Sequence, residues 1–180
     1  MSANPPPKPV RPDDDPDDRV QPGRFMADPP PGTVLFLFGM RANSLPAMRH
    51  WLPLWRQTQA MIRELKEHPE TGLLWSTSWR EGREGTVLQY WRSMEALMTW
   101  AQDARFAHAP LWKAFNHGIG DSGQIGLWHE AVVIDGETPG HLHTVYRDVP
   151  ERGLAAATTR VDAEHHAMRT YLRGTRSPES

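Results

Sequence analysis

From Thr33 onward the hydrophobic pattern switches period several times. Thr33–Met40 is an apolar run of Val, Leu and Phe, short enough for a buried strand and punctuated by Gly39. Ser44-Leu45-Pro46 is a helix-start signal, and Pro53 is expected to divide the next stretch into a short turn and a long helix at about Leu54–Glu67. Trp55, Met61, Ile62 and Leu65 supply the apolar stripe of that helix, and His68-Pro69-Glu70-Thr71-Gly72 ends it. Leu73–Arg80 and Thr86–Arg92 read as two strands around the glycine-containing loop Glu81–Gly85. Ser93 caps a second helix carrying Leu97, Met98, Trp100 and Ala101. A further helix is predicted over Pro110–Ile119, a turn at Gly120-Asp121-Ser122-Gly123, a strand over Ile125–Ile134 and a shorter one at Leu142–Arg147.

The order β-α-β-β-α-α-β predicts an α+β fold: a ferredoxin-like antiparallel sheet of four strands with helices on one face. Bulky side chains occupy both alternating sets of these strands. One set holds Trp75 and Trp79 and another Leu88 and Tyr90, while Trp128 and Val132 alternate with Ile125 and Leu127. A second subunit is therefore expected to cover the free face, making a homodimeric α+β barrel.

Composition sets the limits of that unit. Ten of the 17 prolines precede Gly32, together with the Asp13–Asp18 cluster, so residues 1–31 read as a disordered Pro/Asp-rich arm. The barrel domain is placed at 32–150. Residues 151–180 form a C-terminal tail with a candidate helix over Gly153–Arg173 on Leu154, Ala157, Val161, Met168 and Leu172. The absence of cysteine excludes disulfides, thiolate nucleophiles and thiolate-metal sites. A net charge of −2 gives no general attraction to nucleic acid or anionic membranes. No apolar run approaches the ~18–20 residues of a membrane span, and no basic-then-apolar leader opens the chain. A soluble, cytoplasmic protein is expected.

Candidate chemistry is sparse. Gly118-Ile119-Gly120-Asp121-Ser122-Gly123 imitates a dinucleotide loop but follows a helix and precedes a strand, the wrong order. Arg41 and Asn43 stand at the C-terminal end of the first core strand, where Arg41 could orient a carboxylate, stabilise an oxyanion or pair with an acid such as Glu130. His129 and Glu130 fall on opposite faces of the last core strand. His108 precedes a helix carrying Trp112, Phe115 and Asn116. Either histidine has the chemistry to move a proton or bind a metal, and a lone histidine is also a common structural residue. The tryptophans, Trp79 and Trp112 among them, are core and interface material first and ligand contacts second.

Gly39-Met40-Arg41, Leu52-Pro53-Leu54-Trp55, Gly72-Leu73-Leu74, Gln89-Tyr90-Trp91-Arg92-Ser93, and Gly120-Asp121-Ser122-Gly123 with Gly126-Leu127-Trp128-His129-Glu130 occur together in this order. As a set they resemble the family named after the polyketide monooxygenase of fumagillin biosynthesis. That family is similar more broadly to the antibiotic biosynthesis monooxygenases, which are dimeric α+β barrels; the resemblance covers residues 33–134. It implies an enzyme oxidising a hydrophobic aromatic or polyketide-like molecule with O2, without metal or flavin, the substrate supplying the electrons. In that reading His129, Arg41 and Asn43 are the candidate catalytic residues. Trp128, Tyr90, Trp112, Phe115, Asn116 and Trp79 are the candidate substrate contacts. The same superfamily contains haem proteins of aldoxime-dehydratase type, for which His108 is the candidate iron ligand. A non-catalytic small-molecule-binding dimer is the third reading.

Overall fold

In a computed structural model, residues 19–103, 105, 122–135 and 141–162 are described. Their strands form two antiparallel sheets. The larger sheet contains β2 (Val34–Ala42), β3 (Leu73–Glu81), β4 (Glu84–Trp91) and β5 (Ile125–Val133), in the order β3-β4-β2-β5. The helices are α1 (Met48–Lys66), α2 (Met94–Gln102) and a short α3 (Gly153–Ala157). With α1 between β2 and β3, and α2 between β4 and β5, this is the split βαβ arrangement expected of the sequence.

The register sorts every strand residue onto a face. Val34, Phe36, Phe38 and Met40 of β2 lie opposite Trp91, Gln89, Val87 and Gly85 of β4, and opposite Val133, Ala131, His129 and Leu127 of β5. This set faces the helices. Val34, Val87 and Trp91 pack with Met61, Ile62 and Leu65 of α1 and with Leu97 and Trp100 of α2. Trp51 fixes the start of α1 by donating its indole N–H to Met40 O at 2.9 Å. Ser93 caps α2 as expected, its Oγ accepting from Ala96 N at 3.1 Å.

Several expectations are corrected. Pro53 does not divide α1, which runs unbroken through it. The Arg49 carbonyl that loses its helical partner belongs to an exposed residue, so water can replace the missing N–H. The arm 1–31 is not wholly irregular: β1 (Gln21–Asp28) is the central strand of a second sheet, between β6 (Tyr146–Val149) and β7 (Thr159–Asp162). Its prolines sit near the strand's start and just beyond its end, leaving Phe25, Met26 and Ala27 free to pair. The tail helix stops at Ala157, and Thr159–Asp162 becomes β7 against β1, as its β-branched residues favour. The last short strand, β6 (Tyr146–Val149), joins β1 and not the large sheet.

This second sheet and α3 lie against the face of the large sheet that a second subunit was expected to cover. Leu154 and Ala155 of α3 and Ala27 of β1 are buried together with Phe25, Tyr90, Leu142 and Tyr146. The chain thus covers part of its own second face. The predicted helix Pro110–Ile119 lies outside the described residues. Among the described residues, no helix is long and apolar enough to cross a membrane.

Candidate functional site

The two faces of the large sheet carry different chemistry. On the outer face, residues align in rows across β3-β4-β2-β5: Trp79, Thr86, Gly39, Trp128 in one, and Glu81, Glu84, Arg41, Gly126 in the next. The Trp128 indole lies flat over Gly39 and donates to Glu84 Oε1 at 2.9 Å. A Cβ at Gly39 would come 2.4 Å from Trp128 Nε1, so only glycine admits this arrangement. Arg41 pairs with the other oxygen of the same carboxylate, Nη1 to Oε2 at 3.3 Å. The partner expected for Arg41, Glu130, is replaced by Glu84, which β4 places directly opposite it. Asn43 donates through Nδ2 to Gly123 O at 2.8 Å and through its backbone to Gln124 O, tying the start of β5 to the end of β2.

Tyr90 is half-buried on this outer face beneath α3 and the small sheet. Burial, and secondarily Tyr146, push its hydroxyl above the usual phenol range. Trp79 and Trp128 are partly open, at 46% and 38% exposure.

On the helix side, His129 projects from β5 beside Phe36, with ring centroids 6.0 Å apart. His129 and Arg41 are therefore on opposite faces of one sheet, and a single chain does not bring them to one ligand. His108, Trp112, Phe115 and Asn116 lie outside the described residues.

The helix side also holds a group that the pattern of the sequence did not single out. Gln89 is fully buried, and Ser76 and Thr58 are nearly so. Gln89 Nε2, Ser76 Oγ, Thr58 Oγ1 and Gln59 Nε2 have no hydrogen-bond partner among the described residues. Ser76 and Gln89 are cross-strand neighbours, while Thr58 lies on the buried stripe of α1 with Met61 and Ile62. Gln59 Oε1 accepts from Ser78 Oγ at 3.0 Å, joining helix and sheet. An unmet buried polar group costs about 1–3 kcal/mol. Four together would consume much of a domain's net stability of about 5–15 kcal/mol unless a polar occupant meets them. The sequence signal was present: a glutamine stands between Val87 and Trp91 at a core-facing position of an alternating strand.

A separate groove of about 340 Å³ runs between the 3-10 turn Pro69–Thr71 and α2, lined by Glu70, Arg92, Ser93, Glu95 and Asp103 among others. Two of its carboxylates, Glu70 and Asp103, are engaged. Hydrogen bonds from Arg105 hold Asp103 low, and a backbone hydrogen bond and then His68 do the same for Glu70. Among the described residues, no group of three His, Asp or Glu side chains could hold a metal ion.

A four-stranded antiparallel sheet with helices on one face defines the ferredoxin-like α+β fold class, and sequence comparison narrows it. The family profile described as Monooxygenase af470-like matches residues 33–154, and the chain belongs to that family, whose function is monooxygenase-like. No curated protein matches the sequence. Among solved structures, the chain is similar to the aldoxime dehydratase OxdRE in complex with butyraldoxime, at 18% identity and a TM-score of 0.56. That match covers 66% of this chain and 38% of the dehydratase, so the chain spans little more than a third of that enzyme. SnoaB, a cofactor-independent oxygenase from Streptomyces nogalater, matches at 15% identity and TM-score 0.40, over 58% of this chain and 94% of SnoaB. A putative antibiotic biosynthesis monooxygenase from Deinococcus radiodurans matches at 13% identity and TM-score 0.37, over 54% and 89% of the two chains.

Proposed function

We propose that the chain is a cytoplasmic, homodimeric monooxygenase that oxidises a hydrophobic aromatic or polyketide-like molecule with O2. The family match over residues 33–154 carries this reading. The helix side of the sheet supports it, with Phe36, Phe38 and Trp55 partly buried against the core and His129 beside Phe36. Such a surface suits a flat apolar ligand with a few polar groups.

In the cofactor-free form of this chemistry the substrate is the electron donor. An activated methylene is converted to a carbonyl by one molecule of O2. One oxygen atom enters the product, and the other leaves as water with the two methylene hydrogens. The demanding step is loss of a C–H proton to a base, and His129 is the described helix-side residue proposed for it. Arg41, Trp128 and Asn43 are assigned to the outer face. There Arg41 and Trp128 would meet a ligand only between subunits, and Asn43 holds the β2–β5 junction.

The test is oxygen uptake by the full chain with hydroxylated anthrones and related polyphenols. Product should form with one O2 consumed per turnover, and His129→Ala should lower kcat by roughly a hundredfold or more. Unchanged turnover in that variant removes His129 from the mechanism, and absence of turnover with any such substrate counts against the reading. The haem alternative depends on His108, which lies outside the described residues. A Soret band lost in His108→Ala would favour it over the cofactor-free form.

A further inference from the structure

The amide of Gln89 has a determined orientation. The Trp91 indole N–H can only donate, and it donates to Gln89 Oε1 at 3.0 Å. The buried Nε2 therefore presents N–H bonds with no acceptor among the described residues. An excess of N–H selects an oxygen acceptor. The hydroxyl of its cross-strand neighbour Ser76 either donates or accepts, so it accommodates a carbonyl or a hydroxyl oxygen equally. Phe36 lies directly opposite Gln89 on the neighbouring strand, and its ring meets His129. Strand spacing puts the backbones of Gln89 and His129 roughly 12 Å apart on the same face, a span that fused aromatic rings can bridge.

Resting on the monooxygenase function, we propose that Gln89, with its cross-strand neighbour Ser76, is a positioning and specificity-determining subsite. Its Nε2 donates to a carbonyl or phenolate oxygen of the substrate, laying the molecule against Phe36 with its far edge at His129. Gln89 acts on where the substrate sits and takes no part in proton transfer. It selects oxygenated aromatics over hydrocarbons of the same shape.

The experiment compares 1-tetralone with tetralin, two bicyclic probes differing in one carbonyl, by quenching of tryptophan fluorescence in the full chain. Wild-type protein should bind 1-tetralone about tenfold more tightly, the worth of one buried hydrogen bond. In Gln89→Leu that preference should fall to near unity while tetralin binding stays within about twofold of wild type. Gln89→Leu also strips Trp91 of its acceptor, so a second measurement uses the wild-type chain. The glutamine side-chain amide with a through-space contact to the Trp91 indole proton should shift on addition of 1-tetralone and stay fixed with tetralin. Equal binding of both probes by wild type overturns the subsite and leaves the proposed function standing. Failure of both probes to bind overturns subsite and function together. A preference that survives in Gln89→Leu with no amide shift shows a spot filled by ordered water, and also overturns the proposal.

Discussion

Two tryptophans lie flat on the large sheet, one on each face, and each is admitted by a glycine. Trp128 crosses Gly39 on the outer side, and Trp55 of α1 covers Gly85 on the helix side, where an added Cβ would meet Trp55 Cζ3 at 2.5 Å. The two contacts should respond differently to a methyl group. Trp55 is stacked on Trp51, with centroids 5.6 Å apart and planes within 9°, and Trp51 is fully buried. Trp128 is partly exposed and can swing outward, giving up one hydrogen bond to Glu84. Gly85→Ala should therefore cost about 2–3 kcal/mol in urea unfolding and Gly39→Ala about 1 kcal/mol. Equal costs would mean that the two tryptophans are equally confined. At this scale the sequence revealed which residue types were available but not how they group. Alternation placed His129 and Glu130 on opposite faces, as the register has them. It could not show that Arg41 meets Glu84 and not Glu130, because that depends on strand order. The unpartnered Gln89 amide was visible only as a polar residue in a core-facing set.

The elements of the large sheet were legible because each has one strong local signal: an apolar run at β2, alternation at β3 and β4, a serine cap at α2. The small sheet was not, because its strands are short and their stability comes from distant partners. Val149 pairs with Gln21, and Val161 with Met26, contacts that no local window contains. That sheet and α3 bury Tyr90, and its titration reports their docking. The Tyr90 hydroxyl is raised above its usual 10.0 by burial and then by Tyr146. Folded protein thus holds this proton more tightly than unfolded chain. The resulting stability is fully present below the unfolded value and lost as pH rises through the folded one. Urea stability should fall as pH rises past the unfolded phenol value, and the fall should be shallower in Tyr90→Phe. An identical profile in the variant would mean that Tyr90 remains accessible and the small sheet is not docked over it.

At the level of the whole molecule, the proposed homodimer depends on what the chain leaves uncovered. Its own small sheet and α3 take the Tyr90 side of the outer face. Trp79, Trp128 and Val132 remain open at 46%, 38% and 54%, Leu37 and Leu88 lie half-buried among them, and the exposed Glu130 stands opposite Leu37 between Trp128 and Val132. Monomeric proteins seldom leave such a surface to water. If two copies close on it about a twofold axis, every substitution appears twice in one interface, so a single new carboxylate per chain adds two beside the two copies of Glu130 that the face already carries. Val132→Glu sits at the periphery of the larger sheet's outer face and disturbs no core contact, so the subunit should still fold. It should convert a sedimenting dimer to a monomer at concentrations where wild type stays associated. His129→Glu, on the helix side of the same strand, should leave the mass unchanged. Wild-type protein that sediments as a monomer at every concentration, or a Val132→Glu chain that remains dimeric, would show that copies do not meet through this face. The outer-face roles of Arg41 and Trp128 would then lose their second wall.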